Sequence, residues 1–150
     1  MKFRLSILLL FLTINGCQVG PRIEEFEQSR RPEGVTTTIK LHHGFAEGGE
    51  LRGELLEVRE HGLLLNARTI QEGGVVERRV VFVAYTAMID LELDELGLRM
   101  LSEGDTKTRR VRHQEKLRLL SRFPQGLSTP LLEQLLAAEG QNSLYVIGSE

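Results

Sequence analysis

The chain has 150 residues, with 19 basic and 21 acidic side chains, a formal net charge of −2 and one cysteine. This length suits one modest hydrophobic core and excludes two full domains. A mildly acidic chain is a poor candidate for binding nucleic acid, which depends on Lys and Arg neutralising phosphates, and a single cysteine excludes an intramolecular disulfide.

Residues 1–16 have the pattern of an export signal. Lys2 and Arg4 precede an apolar run over residues 5–14. The run has the length of a signal-peptide core and is shorter than the ~20 residues of a spanning helix. It ends at Ile14-Asn15-Gly16-Cys17, with a branched apolar residue three places before the cysteine and a small residue directly before it. This segment resembles the lipobox of bacterial lipoproteins.

The lipobox resemblance implies a covalent lipid on Cys17, and we predict no cofactor. In that family the thiol carries a diacylglyceryl group, the chain is cut before the cysteine, and the new amino terminus is acylated. Each buried methylene contributes about 0.8 kcal/mol, so several acyl chains would make membrane attachment permanent. Gln18 replaces the Asp that retains enterobacterial members at the inner membrane, which favours the outer membrane, facing the periplasm. The alternative is an ordinary signal peptide followed by a free or buried cysteine.

Residues 17–33 are predicted to be a lipidated N-terminus and flexible tether, because they are polar and contain Pro21 and Pro32. Residues 34–94 show the period-two alternation and tight turns of five strands, predicted at 35–42, 51–59, 63–70, 75–84 and 88–93. In the second strand the apolar phase slips between Leu55 and Leu56, close to Gly53, which predicts a bulge or a sharp bend. Ile89 and Leu91 are predicted to point inward. Five short strands joined by tight turns predict a small closed barrel.

The pattern resembles the Sm-like and SH3-like small barrels. The resemblance rests on Leu51-Arg52-Gly53-Glu54-Leu55, Gly62-Leu63-Leu64-Leu65, Val83-Ala84-Tyr85 and Ile89-Asp90-Leu91. The Asp and Asn with which Sm proteins bind RNA are replaced by Glu60-His61-Gly62, and their second motif is replaced by Tyr85-Thr86-Ala87. The resemblance therefore implies a fold and not RNA binding.

Residues 95–150 are predicted to form a helical pair packed on the barrel, with a candidate final strand at 144–147. The first helix is capped by Asp105 or Thr106 and ends near Arg122, and the second begins at Ser128 or Thr129 before Pro130. Residues 94–101 are predicted to form one short turn. The predicted fold class is mainly β with α (α+β): a five-stranded Sm-like or SH3-like small barrel followed by a C-terminal helical pair.

No catalytic or metal-binding pattern is present in the sequence. A Gly-x-Ser-x-Gly elbow is missing, and neighbouring His42 and His43 would point to opposite faces of a strand. The row Asp90, Glu92 and Asp94 is interpreted as a solvated strand face in preference to a Ca²⁺ site. We therefore predict no enzymatic activity and no metal.

Charge is distributed unevenly along the chain. Residues 34–104 carry a net charge of −5, whereas residues 105–126 carry +5. One interpretation is that the basic helix lies against the acidic side of the barrel. The other is a basic face for anionic lipid, lipopolysaccharide or an acidic envelope protein, with Arg109, Arg110, Arg112, Leu132 and Leu136 as candidate partner-binding residues.

These patterns together predict a lipid-anchored envelope protein that acts as a non-catalytic binding or assembly module. The alternatives are a lipid- or lipopolysaccharide-binding protein and a hydrolase of envelope polymers. A hydrolase would require side chains such as Glu54, Glu57, Asp90, Glu92 or His61 to converge in a cleft.

Overall fold

The computed structural model describes residues 33–43, 49–70 and 76–148, and these residues form an α+β fold of strands and two helices. The elements are β1 (Thr36–Leu41), β2 (Glu50–Val58), β3 (Gly62–Ile70), β4 (Val76–Ala84), β5 (Met88–Leu93), β6 (Leu98–Ser102), α1 (Lys107–Leu120), α2 (Thr129–Ala138) and β7 (Tyr145–Ile147). A 3-10 turn over Tyr85–Ala87 joins β4 to β5.

The strands form one open mixed sheet in the order β6-β5-β1-β2-β3-β4-β7. Strands β1 to β4 are antiparallel neighbours, β5 returns to pair with β1, and β7 runs parallel to β4. The predicted five-stranded closed barrel is wrong in strand number and in closure, since over the described ranges no pairing joins the two edges of the sheet. Closure would need β4 to pair with β5, but β7 occupies the free edge of β4 and β6 occupies that of β5.

Strand β6 was missed, because residues 94–101 were predicted to form a single turn. Gly97 has a φ of 58° and reverses the chain, a conformation that glycine adopts without a steric cost. The register of β6 with β5 then shifts between Leu91 and Glu92. Met100 and Leu101 are both buried although they are consecutive, so the period-two pattern of a strand is absent.

The predicted bulge in β2 is confirmed. Leu55 pairs with Leu65, but Glu57 pairs with Leu64, and the register shifts between them. Leu55 and Leu56 belong to clusters on opposite faces, as consecutive strand residues do, and the extra residue puts Glu57 opposite Leu64 of the outer face.

The predicted inward phase of β5 is partly wrong. Leu91 is fully buried as expected, but Met88 is buried and Ile89 only half-buried. A register shift between Lys40 and Leu41 pairs Leu41 with Met88 and leaves Ile89 at the irregularity.

The two helices pack on opposite faces of the sheet. On the face that we call inner, Leu117 and Leu120 of α1 join the larger hydrophobic cluster with residues of β1 to β7. On the outer face, Leu136 of α2 joins a smaller cluster with Leu56, Leu64, Val80, Phe82 and Ala84. Leu56 lies on the outer face by alternation with Arg52 and Glu54, and the bulge lets Val58 return to the inner cluster.

The chain crosses from one face to the other after α1. The backbone N–H groups of Arg122 and Phe123 donate to the carbonyls of Leu55 and Leu56, at 3.0 and 2.9 Å. This segment therefore pairs with β2 at the bulge, beyond the last residue of β2 that pairs with β1.

Thr106 caps the start of α1, because its side chain accepts a hydrogen bond from the N–H of Arg109.

The predicted signal (residues 1–16), Cys17 and all of the tether except Glu33 lie outside the described residues. Neither helix in the described ranges has the length and apolar character needed to cross a bilayer.

Candidate functional site

The outer face of the sheet is only partly covered. Helix α2 packs on the half that contains the smaller cluster. The other half is polar and forms an open groove of about 250 Å³ beside the entry of the chain into β1. The charged and amide side chains that line it include Glu33, Arg52, Glu54, Asn66, Arg68 and Arg78.

Three arginines lie side by side in this groove. Arg52 on β2 pairs in register with Arg68 on β3, and Arg68 pairs with Arg78 on β4. All three residues are exposed. Because neighbouring strands lie ~4.8 Å apart, the row places three positive charges within a span of ~10 Å. Like charges directly opposite each other on a sheet are destabilising.

The charges in this row are neutralised unevenly. Arg52 pairs with Asp94, whose other carboxylate oxygen accepts a hydrogen bond from the Thr38 hydroxyl at 2.7 Å. The side chains of Arg68 and Arg78 make no hydrogen bond or ion pair with another residue of the described ranges. The positive potential of the groove is therefore concentrated at β3 and β4.

A second pair of polar residues lies on β2 and β3, two residues away from the arginine row. Glu54 and Asn66 pair in register there. Glu54 accepts a hydrogen bond from the N–H of Gly34 at 2.9 Å and lies 3.7 Å from Arg122. The Asn66 amide nitrogen donates to Glu139 at 2.8 Å, but its buried carbonyl oxygen has no partner in the described structure.

This arrangement is suited to holding an anion. Guanidinium groups bind phosphate and carboxylate oxygens through two parallel charge-assisted hydrogen bonds, which are about twice as strong as neutral ones. Among the described residues no group of three His, Cys, Asp or Glu side chains could hold a metal. The groove therefore offers binding through arginine and amide groups.

The residues named for a hydrolase are held by separate partners. Glu57 accepts hydrogen bonds from Arg59 and from the N–H of Leu127, at 2.8 and 3.2 Å. Asp90 lies 3.5 Å from Arg99, and His61 lies 3.9 Å from its neighbour Glu60. Glu92 pairs in register with Thr38. Glu54 alone of this set lines the arginine groove.

The candidate partner-binding residues do not share one surface. Arg109 and Arg112 are exposed on α1, and Arg109 lies 3.2 Å from Asp105. Arg110 is half-buried. Leu136 is buried in the outer-face cluster, and Leu132 packs against it. Since the two helices pack on opposite faces of the sheet, a partner would contact the arginines and these leucines separately, and the role of this set stays a prediction.

Two side chains outside the groove have shifted pKa values: Tyr85 in the 3-10 turn and His113 on α1. Burial raises the pKa of Tyr85 to about 12, although a hydrogen bond with Gln114 opposes the shift. The Tyr85 hydroxyl also donates to the carbonyl of Arg59 at 3.2 Å. Burial lowers the pKa of His113, and the negative charge of Asp105 opposes that shift. Gln114 lies on α1, so its hydrogen bond with Tyr85 links this helix to the 3-10 turn between β4 and β5.

The arginine row was missed by sequence reasoning. Arg52, Arg68 and Arg78 are scattered through the sequence, and only the strand register brings them together. The sequence carries no shared signal for the row, since Arg52 alternates with the polar Glu50 and Glu54, whereas Arg78 alternates with the apolar Val80 and Phe82. Comparison of the chain with protein-family models, curated proteins and solved structures finds no match.

Proposed function

We propose that this protein is a non-catalytic binding module of the bacterial cell envelope that holds an anionic group in the groove of its outer sheet face. The in-register row Arg52, Arg68 and Arg78, with no described partner for the last two, carries the proposal. Repulsion within such a row is a cost in the free protein. A bound anion offsets that repulsion, because it attracts each of the guanidinium groups.

The proposed fold relationship supports a binding role. The partial order β5-β1-β2-β3-β4 is the strand arrangement that the resemblance to small Sm-like or SH3-like barrels implies. We infer that the sheet is a small barrel opened by two added edge strands. In the opened form the outer face gains α2 as a cover on one half and leaves the groove accessible on the other.

Lipid anchoring through Cys17 belongs to the same proposal and is supported by the segment Ile14-Asn15-Gly16-Cys17. We expect fatty-acid labelling of the wild-type protein in bacterial cells and none in Cys17→Ser. The variant should remain uncleaved or be released to the periplasm. Labelling that persists in Cys17→Ser would contradict the anchor and leave the groove proposal untouched.

Binding in the groove is tested by titrating the full-length protein in non-ionic detergent with inorganic phosphate, followed by calorimetry. The double variant Arg68→Gln, Arg78→Gln should lose at least tenfold in affinity, because it removes the two guanidinium groups that have no partner among the described residues. The matched control is Lys107→Gln, Arg118→Gln, which removes two charges from exposed positions of α1. Equal affinity in both double variants would contradict the proposal, since attraction would then depend only on net charge.

A further inference from the structure

Resting on the proposed function, we infer that the bound anion is a phosphate ester that carries a hydroxyl or ammonium donor a few atoms from its phosphorus. Phosphoethanolamine and glycerol 3-phosphate have this chemistry. It occurs both in soluble esters and in the headgroups of phospholipids.

The first step is the polarity of the groove along the strands. Arg68 and Asn66 are two residues apart on β3 and therefore share one face, about 7 Å apart. The residues of β2 and β4 that pair in register with Arg68 are both arginines. The residue of β2 that pairs with Asn66 is Glu54, which carries a carboxylate. The groove thus has a donor end for an anion and an acceptor end for a hydroxyl or ammonium group.

The second step is the state of the acceptor end. The Asn66 carbonyl oxygen is buried without a hydrogen-bond partner in the described structure, while its amide nitrogen is already committed to Glu139. This hydrogen bond fixes the orientation of the amide, and Asn66 is one of the residues that line the groove. A buried acceptor without a donor is unfavourable, and a ligand hydroxyl or ammonium group would satisfy it.

The third step concerns the anion and its size. A tetrahedral phosphate presents several ionised oxygens and can engage two neighbouring guanidinium groups, whereas one carboxylate is satisfied by a single arginine. Arg68 and Arg78 stand on adjacent strands, at a spacing of ~5 Å that suits one phosphate between them. The volume of about 250 Å³ suits a headgroup-sized molecule, and Glu54 at one end disfavours a polyanion.

The test uses full-length protein in non-ionic detergent and three probes: phosphoethanolamine, glycerol 3-phosphate and ethyl phosphate. Ethyl phosphate has the phosphate but lacks the donor. We expect the first two to bind at least about fivefold more tightly than ethyl phosphate, because a hydrogen bond to Asn66 adds a favourable contribution. Asn66→Ala should remove this preference while the affinity for ethyl phosphate stays within twofold.

The matched control is Glu139→Gln, which removes the charge of Glu139 but keeps a side-chain oxygen that can accept from the Asn66 amide nitrogen and so keeps the amide oriented. This control should keep the preference for donor-bearing esters. A second readout is Glu54→Gln, which should weaken phosphoethanolamine more than glycerol 3-phosphate, because only the former carries a positive charge. Glu54→Gln also keeps the inference testable if Asn66→Ala fails to fold.

Different results would contradict the proposed anion binding and the inferred class of ligand. If no phosphate compound binds, or if Arg68→Gln has no effect, the proposed function itself is wrong. If ethyl phosphate binds as tightly as the other two and depends on Arg68, anion binding stands and the ligand class is wrong. Vesicles of phosphatidylethanolamine and of phosphatidylcholine separate the two sources, with Cys17→Ser as the background so that the proposed lipid anchor does not itself attach the protein. Binding to phosphatidylethanolamine that Arg68→Gln abolishes indicates a lipid headgroup, and binding of the soluble esters alone indicates a soluble ligand.

Discussion

Arg68 and Arg78 lie directly opposite each other on β3 and β4, with both side chains exposed on the outer face of the sheet. Arg52 extends this opposition to a third strand, where Asp94 neutralises it. Opposed like charges reduce the stability of a strand pair. The groove thus has a charge arrangement that folding alone disfavours and that an anion would stabilise.

Substitutions in β5 test the phase of that strand. Leu91 is fully buried in the inner cluster, so Leu91→Ala should lower the free energy of unfolding by about 2 to 5 kcal/mol. Ile89 is half-buried beside a register shift, and Ile89→Ala should cost clearly less. Urea denaturation of both variants measures the difference. If Ile89→Ala lowers the free energy of unfolding as much as Leu91→Ala or more, the side chains of β5 point the other way.

Gly53 permits the close approach of β3 to β2. A Cβ at this position would lie 2.6 Å from the backbone carbonyl oxygen of Asn66 and 2.7 Å from the Cα of Ala67. Gly53→Ala should therefore destabilise the protein by about 1 to 3 kcal/mol or more, because backbone atoms must move. Gly104→Ala is the control, since nothing lies within 4 Å of its Cβ, and it should change stability by less than about 0.5 kcal/mol. Similar thermal midpoints for the two variants would contradict the close approach.

His113 should make stability depend on pH. Burial lowers its pKa, while Asp105 raises it and Arg109 and Lys116 lower it further. Its Nδ1 lies 3.4 Å from Asp105, without the alignment of a hydrogen bond. The unfolded chain therefore takes up the proton more readily, so His113 should reduce stability as pH falls through its ordinary value of 6.5 towards its lower folded value.

The measurement is the urea midpoint at several pH values between 8 and 5. His113→Gln should show a smaller loss of stability than the wild type over this range. Equal losses in both proteins would assign the pH dependence to other groups.

Gln141 completes the edge of β4 between α2 and β7. Its side-chain oxygen accepts from the N–H of Val80 at 2.6 Å, and its amide nitrogen donates to the Val80 carbonyl at 3.2 Å. Gln141→Ala should lower stability by about 1 to 2 kcal/mol and speed hydrogen exchange at the amide of Val80. The exposed neighbour Asn142, changed to Ala, is the control. Unchanged exchange at Val80 in Gln141→Ala would show that this contact does not protect the edge.

Much of the fold was predictable from local patterns. Alternation located β1 to β5, the phase slip at Leu55 and Leu56 predicted the bulge, and Thr106 was one of two predicted caps for α1. Strand β6 escaped because its own register shift places two buried residues in succession. Closure was predicted wrongly because it depends on which strands occupy the two edges, and tight turns do not specify that.

The candidate site was less predictable than the fold. Membership of Arg52, Arg68 and Arg78 in one row depends on the register of three strands, and a shift by one residue would move any of them to the other face. The orientation of the Asn66 side-chain amide depends on the position of Glu139, which directly follows α2. Such relationships join distant parts of the chain and leave no periodic trace in the sequence.

The most direct measurement is the unfolding free energy of the full-length protein and of Arg78→Thr, at low ionic strength, with phosphate and with sodium chloride at matched ionic strength. Without phosphate the variant should be more stable by up to about 1 kcal/mol, because the opposed pair with Arg68 is gone. Phosphate should stabilise the wild type according to its occupancy and the variant much less, so the order of stability should reverse in phosphate and not in chloride. A variant that is less stable in every buffer, or that responds to phosphate as strongly as the wild type, would contradict the anion-binding groove.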